Sequence, residues 1–134
     1  MSDLQDLSAA QLLAMYASRT LSPLEYYDHL LAHIERWEPS IAALYAFDPQ
    51  RVLEKARASS ERWSKGAPNG ALDGIPVTLK ELIATEGDCI PQGSRATTLI
   101  AATADAPPAA RLREAGAIIL GKTTVPDFGM LSSG

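Results

Sequence analysis

Lys80 is the residue with the most chemical potential. It ends the run Leu72-Asp73-Gly74-Ile75-Pro76-Val77-Thr78-Leu79-Lys80. Asp73-Gly74 is a turn pair, and Ile75 to Leu79 is a short apolar stretch of strand type. A charge closing a buried strand is unusual, because lysine is rarely buried without a partner. Desolvation favours the neutral amine, and a neutral amine can act as a general base. The competing expectation is a strand-end lysine whose head snorkels to solvent.

Other candidates are weaker. His29 and His33 lie four apart in a helical stretch, a spacing that can hold a metal. The metalloprotease pattern wants a glutamate directly after the first histidine, where Leu30 stands, and no third ligand is evident. Two surface or half-buried histidines are expected instead, and no metal. Gly116-Ala117-Ile118-Ile119-Leu120-Gly121-Lys122-Thr123 fits the letters of a phosphate loop. Such a loop needs a strand before it and a helix starting at its Lys-Thr. Here Gly116 ends a helical stretch, the next four residues read as strand, and Val125-Pro126 follows where the helix should run. Lys122 is then expected to be a strand-end residue. The single cysteine, Cys89, has no internal partner and points to a reducing compartment.

Four blocks carry a resemblance. They are Leu72-Asp73-Gly74-Ile75-Pro76-Val77 with Lys80; Gly93-Ser94; Ala109-Ala110-Arg111-Leu112-Arg113-Glu114-Ala115-Gly116-Ala117; and the run from Ile118 through Gly121-Lys122-Thr123-Thr124 to Met130. In this order and at these spacings, the chain from Leu72 to Ser133 resembles the amidase signature family. The resemblance implies an amidase that hydrolyses a carboxylic amide C–N bond through a Ser–Ser–Lys triad, without metal or organic cofactor. Lys80 matches the catalytic lysine. Ser94 would be a supporting hydrogen-bonder near the site, against the alternative of a plain turn serine that bonds locally. Met130 and Ser132 would line the substrate channel near the scissile carbonyl. The two serines of the triad are expected in a Gly/Ser-rich segment beyond Gly134. The chain is therefore expected to be the N-terminal part of one amidase domain and inactive by itself.

Two further readings stay open. One is the glutaminase subunit of a tRNA-dependent amidotransferase, on the same fold. Its members tend to carry Lys-Asp-Asn and Met-Asp-Glu-Phe, where this chain has Lys80-Glu81-Leu82 and Val125-Pro126-Asp127-Phe128. That departure favours a stand-alone amidase. The other is a non-catalytic α/β module that binds a partner through exposed strand edges.

The elements that must hold Lys80 follow from periodicity and punctuation. Ser8 with Gln11 is a capping box, and Ala9, Leu12, Leu13 and Tyr16 share a helical face that frays near Arg19. Ser22, Pro23 and Glu25 start a second helix. Leu24, Tyr27, Leu31 and Ile34 face inward on it, with Leu30 flanking, and Pro39 is expected to stop it. Residues 41–47 read as a strand. Asp48-Pro49 opens a third helix with Val52, Leu53, Ala56, Ser60 and Trp63 inward. Residues 66–70 form a loop. From Leu72 the texture becomes strand, loop, helix, strand. Residues 75–80 are a strand, Gly87 sits in a turn at positive φ, Asp105 caps a helix opened by Pro107, and Gly116 closes it. The apolar residues 117–120 complete a βαβ unit with a right-handed crossover.

The fold class is thus α/β, with N-terminal helices packed on part of a mixed β-sheet, an incomplete α/β/α sandwich of the amidase signature kind. Residues 1–66 form the helical layer and 72–134 the start of the catalytic core. The 134 residues carry 46% apolar and 21% charged side chains, ordinary globular usage. The net charge of −4, without a basic block, argues against nucleic acid as a partner. The acidic N-terminus lacks an apolar core of signal-peptide length, and no run approaches a membrane span. The expected setting is cytoplasmic. The expected partner is a small-molecule amide substrate, with a homodimer open for a full-length protein.

Overall fold

Two reciprocal caps start the helical layer. The Gln11 amide donates to Ser8 Oγ at 3.3 Å and the Ser8 amide to Gln11 Oε1 at 2.8 Å, which opens α1 (Ala9–Ser18). Ser22 and Glu25 repeat the device at 3.2 and 2.8 Å. Pro23 then takes the first position of α2 (Pro23–Ile41), where its missing N–H costs no helical bond. The computed structural model describes residues 4–130, and every structural statement concerns those residues.

Pro39 does not stop α2 as expected; the helix runs through it to Ile41. A proline removes one backbone bond to the residue four earlier. In the last turn that loss is small, and the Ala42 amide closes the helix on the Glu38 carbonyl at 2.8 Å. The strand expected over 41–47 shrinks to β1 (Leu44–Tyr45). Ala42 and Ala46 both take left-handed backbone, φ 50° and 52°, which ends the extended run on either side.

Asp48 accepts from the Gln50 and Arg51 amides and starts α3 (Pro49–Ser64). Its buried face is Val52, Ala56 and Ser59, with Leu53 and Trp63 half-buried against the core. Ser60, expected inward, instead accepts from the Leu24 amide at 2.8 Å and ties α3 to the start of α2.

The sheet has the order β1-β3-β2, with β2 spanning Pro76–Lys80 and β3 Ile118–Thr123. β3 is central, parallel to β2 and antiparallel to β1. Helix α4 (Pro107–Glu114) links β2 to β3. Asp105 does not cap α4. The capping position is Ala106, without a side-chain bond, and Asp105 instead accepts from the Glu86 amide at 2.8 Å and Arg113 Nε at 2.7 Å. Gly116 follows α4 at φ +88°, and a Cβ there would lie 2.1 Å from the Asn69 carbonyl oxygen. The residues that spell a phosphate loop are therefore a helix end and a strand.

One apolar cluster joins α1, α2 and α3 to the sheet through Leu12, Tyr16, Tyr27, Val52, Ala56, Ile118 and Leu120. A smaller one, Leu79, Ala109 and Ile119, packs α4. Large apolar side chains of this kind contribute about 1.5–3 kcal/mol each when fully buried. A bulge interrupts the β2–β3 register: Val77 pairs with Ile119, but Thr78 pairs with Gly121, leaving Leu120 as the extra residue.

Candidate active site

The turn that launches β2 is built on Asp73. Its carboxylate is fully buried and takes four hydrogen bonds: Ser59 Oγ at 2.7 Å, Arg62 Nε at 2.8 Å, the second Arg62 nitrogen at 2.6 Å and the Asn69 amide at 2.7 Å. Burial by itself would push this carboxyl up. Arg62, the Asn69 amide and Ser59 outweigh it and hold the group below the usual carboxylate range. Trp63 Nε1 donates to the Asp73 carbonyl at 3.1 Å, and the Leu72 and Gly74 amides donate to the Ala115 and Gly116 carbonyls. The turn is thus riveted to α3 on one side and to the end of α4 on the other.

β2 carries this rigidity to Lys80. Two rungs close the carboxyl end of the sheet: Tyr45–Lys122–Leu79, then Leu44–Thr123–Lys80. Successive strand residues face opposite ways, so the two lysines lie on opposite faces. Lys80 is exposed, contrary to the expected buried amine. β2 is an edge strand, so none of the described elements flanks its outer side. The Lys80 Nζ approaches Gly129, where an added Cβ would lie 3.6 Å from it. Lys122, expected to be an unremarkable strand end, is the buried lysine, with no accessible surface. Burial pulls its amine below the ordinary lysine value against the raising influence of Asp88, Glu81 and Cys89.

Three segments converge beside Lys80. Glu81, 3% exposed, accepts from the Gly93 amide at 2.7 Å. Gln92 accepts from the Phe128 amide at 2.7 Å. A Cβ on Gly93 (φ +65°) would lie 2.5 Å from the carbonyl oxygens of Val125 and Pro126. The 92–93 turn is therefore pressed onto the 125–129 segment, which ends in a short 3-10 turn, Asp127–Gly129.

Ser94 lies next to this contact, half-buried, and its Oγ accepts from the Ala96 amide at 3.3 Å. That bond is the local turn pattern weighed from sequence. Met130 follows the 3-10 turn and is 82% exposed. Ser132 lies outside the described residues. The histidines are occupied otherwise: His29 Nε2 bonds Gln5 Oε1 at 2.7 Å, and the His33 ring sits 6.3 Å from that of Trp37. Among the described residues no group of three or more His, Cys, Asp or Glu could hold a metal. A groove of about 810 Å³ lies between α2, α3 and β1 and touches neither lysine.

The Glu81–Gly93 bond and the burial of Lys122 were not foreseen. The signal for Lys122 was present. An apolar run as strong as that before Lys80 precedes it, and the central place of β3 follows from that continuous run.

An amine at the carboxyl end of a parallel strand pair, with the Gly129 turn beside it, is where open α/β sheets place their chemistry. The amidase family profile matches residues 25–134, and the chain belongs to the amidase signature family. It is 36% identical over 123 residues to an acylamidase of Rhodococcus erythropolis, covering 92% of this chain and 26% of that protein. It is 35% identical over 133 residues to a glutamyl-tRNA(Gln) amidotransferase subunit of Chloroflexus aurantiacus, covering 99% of this chain and 27% of that one. The peptide amidase of Stenotrophomonas maltophilia superposes with a TM-score of 0.76 at 28% identity, over 92% of this chain and 26% of its own. The chain thus spans about a quarter of the length of the relatives it matches. Among the described residues, no helix is long and apolar enough to cross a membrane.

Proposed function

We propose that this chain supplies the general-base lysine, Lys80, of an amide-hydrolysing site. An amide carbonyl is a poor electrophile and its amine a poor leaving group. The reaction needs an activated nucleophile, an oxyanion hole and a proton for the departing nitrogen. In this reading Lys80, as the neutral amine, takes a proton from a bridging serine, which takes one from the nucleophilic serine. The relay then runs backwards to protonate the leaving amine. Ser–Lys arrangements meet the need that Ser–His–Asp meets elsewhere. The substrate is a small carboxylic amide. Both serines belong, in this reading, to sequence outside these 134 residues.

The observation that carries the reading is the position of Lys80. It stands at the carboxyl end of β2, on a strand anchored by Asp73, with its Nζ next to the Gly129 turn. Its exposure leaves room for further polypeptide and substrate at that end.

The test is Lys80→Ala in the full-length enzyme. Amide turnover should fall by about 10²–10⁴-fold, the usual contribution of a general base, with an unchanged far-ultraviolet spectrum. Near-normal hydrolysis by that variant overturns the assignment. The 134 residues by themselves should hydrolyse no amide; turnover by the purified chain would place the nucleophile among them.

A second reading, the glutaminase subunit of an amidotransferase, has comparable support in identity, 35% against 36% for the acylamidase. Glutamine against simple acyl amides, each offered with and without charged tRNA and partner subunits, separates the two.

A further inference from the structure

Lys122 is a buried cation that the reading above does not use. Its Nζ has no hydrogen-bond partner among the described residues. The ion pairs there are Arg51–Asp88, Arg62–Asp73, Arg111–Glu114 and Arg113–Asp105, none of which includes it. An ammonium removed from water without a close partner destabilises a fold. Such a feature is a reason to look for function.

The groups around the amine come from every neighbouring strand and loop. Tyr45 and Leu79 flank it across the rung, and Glu81, Asp88 and Cys89 act on its charge. Asp88 is already answered, by Arg51 at 3.7 Å and by the Thr85 hydroxyl at 2.8 Å. Glu81 differs. It is buried, it accepts from the Gly93 amide, and no cation stands within salt-bridge distance of it among the described residues. Glu81 and Lys122 also share a strand end, since the Glu81 amide donates to the carbonyl of Thr123, the next residue, at 3.0 Å.

We propose that Lys122 is a positioning residue. Its ammonium, buried at the same strand end as Glu81 and beyond salt-bridge distance of it, acts through its charge to hold that carboxylate as the acceptor for the Gly93 amide, and so holds the 92–93 turn against residues 125–129 beside Lys80. The functional meaning of this rests on the amide-hydrolysing reading; the clamp itself does not.

The clamp is tested in the 134-residue chain by hydrogen exchange of the Gly93 amide. Lys122→Met keeps the apolar stem and removes the charge, so the melting temperature should stay or rise. Exchange at Gly93 should nevertheless quicken by about tenfold or more, as in local opening, while core amides such as that of Tyr27 stay protected. Glu81→Leu should quicken it similarly. The double variant should add nothing to either single one, because both act through one bond. Unchanged Gly93 exchange in Lys122→Met overturns the proposal. So does additivity in the double variant, uniform loss of protection across the sheet, or failure of Lys122→Met to fold, each of which makes the lysine a structural prop. In the full-length enzyme, Lys122→Met should lower kcat and leave KM in place, and an unaltered kcat counts against the proposal. If Lys80→Ala keeps its turnover, the catalytic reading falls and the Gly93 exchange result still decides the clamp.

Discussion

Asp73 shows how a single carboxylate can set the start of a strand. With Ser59, Arg62 and Asn69 all donating to it, the charged form is stabilised in the folded state. Its folded pKa lies below the unfolded one. The contribution is therefore complete above the unfolded value, about 3.9 for aspartate, and is lost as pH falls through the folded value. Asp73→Ala should cost about 3–5 kcal/mol in urea unfolding, because it leaves Arg62 without its buried partner. It should also flatten the acid limb of the stability profile. Tyr27 is the opposite case. Its hydroxyl is buried without a partner among the described residues, and burial, with Tyr16 and Tyr26 nearby, pushes its ionisation well up. Tyr27→Phe should leave stability unchanged or raise it by about 1 kcal/mol, since an unsatisfied buried hydroxyl carries a desolvation cost. A clear loss of melting temperature would mean that the hydroxyl is bonded after all.

The elements were legible in the sequence where short-range chemistry decides them. Ser8 with Gln11, Ser22 with Glu25, Asp48 and Gly116 all act where the letters put them. Gly116→Ala is a direct check. It would combine left-handed backbone, about 1–2 kcal/mol for an L-residue, with a collision on the Asn69 carbonyl, and should lower the denaturation midpoint of the whole chain. What the letters could not give were features set by distant neighbours. Pro39 is tolerated because the helix ends two residues later. Leu44–Tyr45 becomes a strand only where β3 passes. Lys80 and Lys122 end similar apolar runs, and only sheet order decides which one is covered. The site was legible to the same extent. The position of Lys80 followed from the Asp73-Gly74 turn and the strand after it, whereas its exposure depended on which strand lay at the edge.

At the scale of the whole molecule, several large apolar side chains stand on the described surface. Trp37, Ile41, Leu99, Ile100 and Met130 are all exposed, at 45%, 60%, 63%, 72% and 82%. Trp37 and Ile41 line a groove at the end of α2. The 134-residue chain should therefore bind a hydrophobic dye such as anilinonaphthalene sulfonate while keeping its folded spectrum. Trp37→Lys with Ile41→Lys should reduce the fluorescence without lowering the melting temperature. Equal fluorescence in that pair would assign the dye to other surface.

The extra residue in β3 has an electrostatic consequence. Were the register after Val77 and Ile119 to continue unbroken, Thr78 would meet Leu120, Leu79 would meet Gly121, and Lys80 would stand directly across from Lys122. Like charges opposed in this way repel, and the ammonium now under cover would share a side with the one at the edge. By inserting Leu120 the chain moves the two cations out of phase, one to each side of a thin wall.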